Sequence, residues 1–177
     1  PGLTKSTGIT ELAGLKRDKF MIKIGDTLPE VTFARLTDNG PVNLTTTEVF
    51  KGEKVVLFAV PGAFTPTCSA AHLPGFIEHA QQFFDKGVDR IICTSVNDAY
   101  VMDAWGKAHN AADIVFLADG AGKFAKAIGL DADTGDFGGV RSKRYAMVVD
   151  DGVVIALNID EPKQFEVSKA EVMLELV

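Results

Sequence analysis

Short apolar runs alternate with segments of helical character through the middle of the chain. The runs are rich in Val, Ile and Phe and lie at residues 54–60, 90–96 and 114–118. The helical segments that follow them lie at residues 67–84, 98–109 and 122–128. Gly129 directly follows the third segment, where a glycine commonly ends a helix. Strands and helices that alternate at this spacing predict βαβ units around a central sheet.

The pattern changes towards the C-terminal end. Two apolar runs within residues 144–159 flank Asp151-Gly152, a pair that predicts a two-residue hairpin turn. A closing helix is predicted from Ser168 to about Leu176, because Ser168 can cap it with Glu171 three residues later. This order is that of the thioredoxin-like fold, although doubly wound folds begin in the same way. We therefore predict an α/β protein whose central mixed sheet is flanked by helices.

Length and composition indicate one globular domain. The chain has 177 residues, of which 46% are hydrophobic and 24% are charged, and no repeat or linker divides it. Its apolar runs are much shorter than the ~20 residues that span a bilayer, so we expect no membrane segment. The net charge of -6 and the absence of a basic patch with aromatic residues argue against nucleic acid as a partner. The expected partners are a small molecule or another protein.

The first twenty residues differ in composition from the rest. They lack the apolar core of a secretory signal and precede Met21. We interpret residues 1–20 as a leader, either artificial or a flexible extension, and residues 21–177 as the single domain. An organellar presequence is the alternative. Two cysteines do not form a disulfide scaffold in a chain of this length, which favours a reducing compartment, by default the cytoplasm.

Cys68 lies where the first apolar run meets its helix, in the segment VPGAFTPTCSAAH. Thr65 followed by Pro66 is a helix-start signal, with Thr65 as N-cap and Pro66 at the first helical position. Cys68 then lies in the first turn, where free N–H groups and the helix dipole favour the reactive thiolate. The preceding strand ends at Pro61, at the sheet edge where α/β proteins usually build their sites. A small buried hydrophobe is the alternative interpretation of Cys68.

The same segment resembles a known family. Pro61, Thr65 and Cys68 match the Pro-x-x-x-Thr-x-x-Cys signature of peroxiredoxins, and PGAFTPTCSAAHLPGF resembles their type II, peroxiredoxin-five-like subgroup. SVNDAYVMDAWGKAH, FLADGAGKFAKAIGL and RSKRYAMVVDDGVVIALNIDEP resemble later segments of that subgroup, so the match runs from Met21 to Val177. The resemblance implies a thioredoxin-like fold and a thiol-specific peroxidase that needs no cofactor.

The resemblance also assigns roles. It makes Cys68 the peroxidatic cysteine, which attacks hydrogen peroxide or an organic hydroperoxide, releases water or an alcohol and becomes a sulfenic acid. The negative charge on the leaving oxygen must be stabilised. In the family pattern this falls to Thr65, to the amides of Thr67 and Cys68, and to Arg144, while Pro61 shields the thiolate from water. The competing cations of that strand are Arg141 and Lys143, and only the register of SKRYAMVV selects Arg144.

Cys93 lies in a run that is predicted to be a buried strand. It follows Cys68 across a complete helical crossover, so we expect the two Cα atoms to lie beyond the ~7 Å reach of an unstrained disulfide. Animal-type members of the subgroup resolve the sulfenic acid with a cysteine near the C-terminal end, and residues 161–168 contain none. Plant and bacterial members keep the Cys68 and Cys93 pair, which implies reduction by glutaredoxin with glutathione, or by thioredoxin. Cys93 is then at most a secondary redox cysteine.

A cysteine hydrolase and a peroxide sensor are the alternative functions. A cysteine hydrolase needs a histidine base, and the candidates are His72, His79 and His109. His72 shares a helix face with Cys68, but we expect it to project into the helix as a packing or hydrogen-bonding residue. A peroxide sensor would use the same thiol without turnover.

Assembly is also implied by the resemblance. Type II members form a homodimer through the face around the cysteine loop and the SVNDAY segment. Phe64 and Tyr100 are the expected apolar contacts of that face, and the alternative is that either belongs to the core.

Overall fold

A computed structural model describes residues 20–177, which form nine strands and five α-helices. The strands are β1 Thr32–Thr37, β2 Gly40–Thr45, β3 Lys54–Ala59, β4 Arg90–Ser95, β5 Ile114–Ala118, β6 Asp131–Asp133, β7 Val140–Ser142, β8 Tyr145–Asp150 and β9 Val153–Ile159. The helices are α1 Thr46–Phe50, α2 Leu73–Asp85, α3 Ala99–Ala108, α4 Lys123–Ala127 and α5 Ala170–Leu174. A π-helical turn, Cys68–His72, precedes α2, and a 3-10 turn, Gly135–Phe137, lies between β6 and β7.

Seven strands form one mixed sheet in the order β2-β1-β5-β4-β3-β8-β9. Strand β3 is parallel to β4 and antiparallel to β8, and β4 is parallel to β5. Strand β3 therefore lies inside the sheet, between β4 and β8. This arrangement confirms the predicted α/β architecture with a mixed sheet between helices.

Both faces of the central strands are buried, because helices or loops cover each face. Alternate side chains of β3 point to opposite faces, so Val56 and Phe58 join one core cluster and Val55 and Leu57 join the other. Burial on both faces explains why β3 is a continuous apolar run rather than an alternating one. Cys68 and Cys93 both belong to the first cluster, together with residues of α2, α3 and α5.

The three predicted strands and the hairpin are confirmed. Asp151 and Gly152 have φ values of 47° and 79°, the left-handed values that a two-residue hairpin turn requires. Gly129 ends the α4 segment with φ 74°. A Cβ atom at Gly129 would lie 1.8 Å from the Phe20 carbonyl oxygen, so glycine is required there for space as well. No helix within residues 20–177 is long and apolar enough to cross a membrane.

The Ser168 cap is wrong: α5 begins at Ala170 after Lys169, and the Ser168 hydroxyl donates to the Asp160 carboxylate instead. Asp160 competes successfully for that hydroxyl because the chain folds back over these eight residues. The leader expected at residues 1–20 lies outside the described residues except for its last position.

Candidate active site

The loop after β3 is fixed by hydrogen bonds to the connection between β4 and α3. The Ala63 amide donates to Asn97 Oδ1 at 3.0 Å, and the Ser95 hydroxyl lies 2.7 Å from the same oxygen. Within the loop, the Thr65 hydroxyl donates to the Gly62 carbonyl oxygen at 2.6 Å. These bonds hold the loop at the carboxyl end of the parallel strands, where the sequence predicted a site.

The helix starts as predicted, but its first turns are not regular. The Ser69 amide donates to the Thr65 carbonyl at 2.9 Å, which makes Thr65 the last residue before the helix. The Thr65 hydroxyl binds Gly62, so the predicted side-chain cap is replaced by a bond that closes the loop. The Leu73 amide then donates to the Cys68 carbonyl, an i to i+5 bond that defines the π-helical turn. Such turns occur frequently at functional sites, and the predicted continuous α-helix did not include one.

Arg144 lies beside the Cys68 thiol. Because Tyr145 pairs with Ala59 at the end of β3, the residue before Tyr145 reaches the edge of the sheet that carries the loop. Arg144 Nη2 donates to Cys68 Sγ at 3.1 Å, and Cys68 is only 1% exposed. Arg141, its competitor in the sequence, donates instead to the carbonyls of Gly138 and Val96. Of these two arginines, Arg144 is therefore the one in contact with the sulfur.

His72 holds the other side of the Arg144 guanidinium. It is fully buried, its Nδ1 lies 2.8 Å from Arg144 Nη1, and its Nε2 lies 3.1 Å from the Ser168 carbonyl oxygen. A guanidinium can only donate and a carbonyl can only accept, so the proton is on Nε2. Burial, and then the charge of Arg144, lower the pKa of His72 to about 3. His72 is therefore neutral, with both nitrogens engaged, and cannot serve as a hydrolase base.

The prediction that His72 is a packing or hydrogen-bonding residue is confirmed. The sequence did not indicate that Arg144 is its hydrogen-bond partner. Phe165 was missed as well: its ring centroid lies 4.9 Å from that of His72 and 5.6 Å from the Arg144 guanidinium carbon. The only signal for His72 was its four-residue spacing from Cys68. Phe165 comes from a loop that no local pattern connects to the site.

Cys93 is a packed thiol in the middle of β4. It is 0% exposed and lies in register with Phe58 of β3. Burial raises the pKa of the Cys93 thiol well above its ordinary value, and the charge of Cys68 adds to this rise. Both cysteines are free. A neutral buried thiol is a poor nucleophile.

The remaining residues expected at the site and at the dimer face lie on the same loop or, for Tyr100, at the start of α3. Pro61 is half-buried where the chain bends after β3, and Thr67 is exposed one position before Cys68. Phe64 and Tyr100 are 56% and 61% exposed, so neither is a core residue of this chain. The structure thus brings together Cys68, Arg144 and the loop of Pro61 to Thr67.

Comparison with known proteins shows the family of the chain. A family model described as Redoxin matches residues 23–174. Peroxiredoxin-2E-2, chloroplastic, from Oryza sativa subsp. japonica is 49% identical, over 87% of this chain and 72% of the relative. The chain belongs to the peroxiredoxins. Peroxiredoxin-2B from Arabidopsis thaliana is 45% identical over 87% of this peroxiredoxin and 97% of the relative.

A solved structure is similar over the whole domain. The crystal structure of reduced Prx3 in complex with H2O2 from Vibrio vulnificus has a TM-score of 0.86 and 59% identity, and the match covers 88% of this chain and 98% of that chain. The thioredoxin-like fold and the type II resemblance are thereby confirmed. This peroxiredoxin is a thiol-dependent peroxidase.

Proposed function

We propose that Cys68 is the peroxidatic nucleophile of this peroxidase, acting on hydrogen peroxide and organic hydroperoxides. The observation that carries the proposal is the 3.1 Å contact between Arg144 Nη2 and Cys68 Sγ. A cation that donates to the sulfur favours the thiolate, which is the reactive form. Hydrogen peroxide is supported as a substrate by the similar Prx3 from Vibrio vulnificus, whose structure was solved in complex with it.

The chemical step is a displacement along the O–O bond. The thiolate forms an S–O bond with one oxygen, the O–O bond breaks, and the leaving oxygen takes a proton and departs as water or an alcohol. Arg144 and the amides of Thr67 and Cys68 stabilise the charge that develops on the oxygens. The Thr65 hydroxyl already donates to Gly62, so its lone pairs are the part that can accept the hydroperoxide O–H. Pro61 limits the access of water to the sulfur.

The sulfenic acid is reduced by a thiol from outside the chain. Residues 161–168 contain no cysteine, and Cys93 is buried in a central strand. Glutathione attacks the Cys68 sulfenic acid, water leaves, and a mixed disulfide forms. A glutaredoxin thiolate then attacks the glutathione sulfur of this disulfide and releases the Cys68 thiol. A second glutathione reduces the glutaredoxin and leaves as oxidised glutathione. Thioredoxin is the alternative reductant, using its two thiols in the same two steps.

The test is the rate at which reduced protein is oxidised by hydrogen peroxide in a stopped-flow instrument. Cys68→Ser is expected to abolish the reaction. Arg144→Lys is expected to slow it about 100-fold, because the planar fork that reaches both His72 and the sulfur is lost. Arg141→Lys is the matched control and is expected to remain close to the wild-type rate. An Arg144→Lys variant as fast as Arg141→Lys would refute the assigned site.

Assembly and location complete the proposal. Phe64 and Tyr100 are exposed aromatic residues beside the loop and at the start of α3, and a second copy of the chain is proposed to cover them. Phe64→Glu is expected to shift sedimentation from dimer to monomer, and an unchanged dimer would exclude this face.

A reducing compartment is proposed because both cysteines are free. It is the cytoplasm or, since a rice relative is chloroplastic by name, an organelle; fractionation distinguishes them.

A further inference from the structure

A short segment near the C-terminal end, residues 160–169, contacts both side chains that flank the thiol. The Ser168 carbonyl oxygen lies 3.1 Å from His72 Nε2, and the Phe165 ring lies next to His72 and Arg144. The start of the segment is tied to Arg144 as well, because the Asp160 amide donates to the Arg144 carbonyl at 3.0 Å. The conformation of this segment therefore determines which groups contact the His72 ring and the Arg144 guanidinium.

The Asp160 carboxylate closes the segment into a loop. It is 6% exposed, and Oδ1 accepts hydrogen bonds from the amides of Glu166 and Val167, both at 2.8 Å. Oδ2 accepts from the Ser168 amide at 3.3 Å and from the Ser168 hydroxyl. Burial acts to raise the pKa of Asp160, but these donors outweigh it and the pKa is lowered. An ionised carboxylate with four donors fixes three consecutive residues of the backbone.

The position of one carbonyl decides the tautomer of His72. The Ser168 carbonyl can only accept, so it draws the imidazole proton to Nε2 and leaves the Nδ1 lone pair for Arg144. If the carbonyl moved away, the proton could occupy Nδ1. Two donors would then face each other between His72 and Arg144, and the guanidinium would lose its support.

We propose that Asp160 is a positioning residue for peroxide reduction, which fixes the Ser168 carbonyl and thereby the His72 tautomer that holds Arg144 against Cys68. This inference rests on the proposed role of Arg144. Asp160 does not contact the sulfur; it acts through the backbone of residues 166–168. Ser168 contributes through its carbonyl, and its hydroxyl serves to hold Asp160.

The decisive variant is Asp160→Asn, which keeps the shape but replaces one accepting oxygen with a donor. The matched control is Asp119→Asn, because Asp119 is also buried, at 4% exposed, and accepts from the amides of Phe124 and Ala125 at 3.0 and 2.9 Å. Asp160→Asn is expected to slow Cys68 oxidation by about 10- to 100-fold, since a small displacement of a catalytic group has an effect of that size. Asp119→Asn is expected to lower stability and leave the oxidation rate unchanged.

Two further readouts separate positioning from loss of structure. The 15N shifts of the His72 ring report the tautomer, and they are expected to move in Asp160→Asn and not in Asp119→Asn. In a His72→Asn background, Asp160→Asn is expected to cause little additional loss of rate. Ser168→Ala keeps the carbonyl and removes only the hydroxyl, so it provides a milder variant with the same expected direction if Asp160→Asn does not fold.

The outcomes are distinct. If Arg144→Lys reacts as fast as wild type, the proposed role of Arg144 fails. If Arg144→Lys is slow while folded Asp160→Asn or Ser168→Ala keeps both the wild-type rate and the wild-type His72 shifts, the role of Asp160 alone is overturned. Equal losses from Asp160→Asn with and without His72 would also overturn it, because the effect would not pass through that residue.

Discussion

Burial of neutral His72 predicts that the folded protein loses stability as the pH falls below neutrality. The pKa of His72 is lowered to about 3 by burial and by the charge of Arg144, whereas an unfolded histidine titrates near 6.5. Between these values the unfolded chain binds a proton that the folded chain does not. The stabilising contribution is therefore complete above pH 6.5 and is lost progressively as the pH falls towards 3.

The magnitude follows from the proton count. One proton of difference changes the free energy of unfolding by about 1.4 kcal/mol per pH unit. Between pH 6.5 and 4.5 the loss is therefore about 2–3 kcal/mol, a large part of a typical stability of about 5–15 kcal/mol. Asp160 adds to the loss only at lower pH, because its pKa is lowered from 3.8 and its contribution disappears as the pH falls through that lower value.

The assay is urea unfolding of reduced protein at half-unit steps from pH 7.5 to 4.5. Wild type is expected to lose stability over this range, and His72→Asn is expected to lose the histidine part of the slope. His109→Asn is the control, because His109 lies at the C-terminal end of α3 and is only half-buried. If wild type and His72→Asn show the same dependence on pH, the neutral, buried state of His72 is refuted.

Three other predictions concern activity and packing. Cys93→Ser is expected to keep peroxidase turnover with glutaredoxin and glutathione within about twofold, and a large loss would show that Cys93 takes part in the cycle. Gly106→Ala places a Cβ atom 2.6 Å from the Phe116 ring and is expected to lower the free energy of unfolding by about 1–3 kcal/mol, measured in urea. Trp105→Phe removes the indole bond to the Ser69 hydroxyl at 2.9 Å and is expected to cost about 1 kcal/mol; an unchanged urea midpoint contradicts this.

The fold was predictable where local chemistry and long-range packing agree. The continuous apolar run of β3 and the Asp151-Gly152 turn needed no knowledge of their partners. The β1–β2 hairpin was missed because it lies at an edge of the sheet and β2 has no fully buried residue, with Gly40 and Pro41 at its start.

The centre of the proposed site was anticipated for a different reason. Helix-start chemistry favoured a reactive Cys68, the resemblance assigned it and Arg144 their roles, and the structure places the two side chains in contact. The hydrogen bonds of His72 that support Arg144 could not be predicted from local sequence. His72 is 72 positions from Arg144 and 96 positions from Ser168 in the chain. The local signal at Ser168 was even misleading, since Glu171 suggested a capping box while Asp160 took the hydroxyl.

The near-complete enclosure of Cys68, at 1% exposed, has a kinetic consequence. On the proposed mechanism, hydrogen peroxide is small enough to reach the enclosed sulfur, whereas glutathione, a tripeptide thiol, needs the sulfur to become exposed before it can attack. We therefore expect oxidation to be a simple second-order reaction and recovery to require an opening of the loop and the π-helical turn. The observed recovery rate, plotted against glutathione concentration, should rise and then level off at the opening rate, and a strictly linear plot would show that no gate exists.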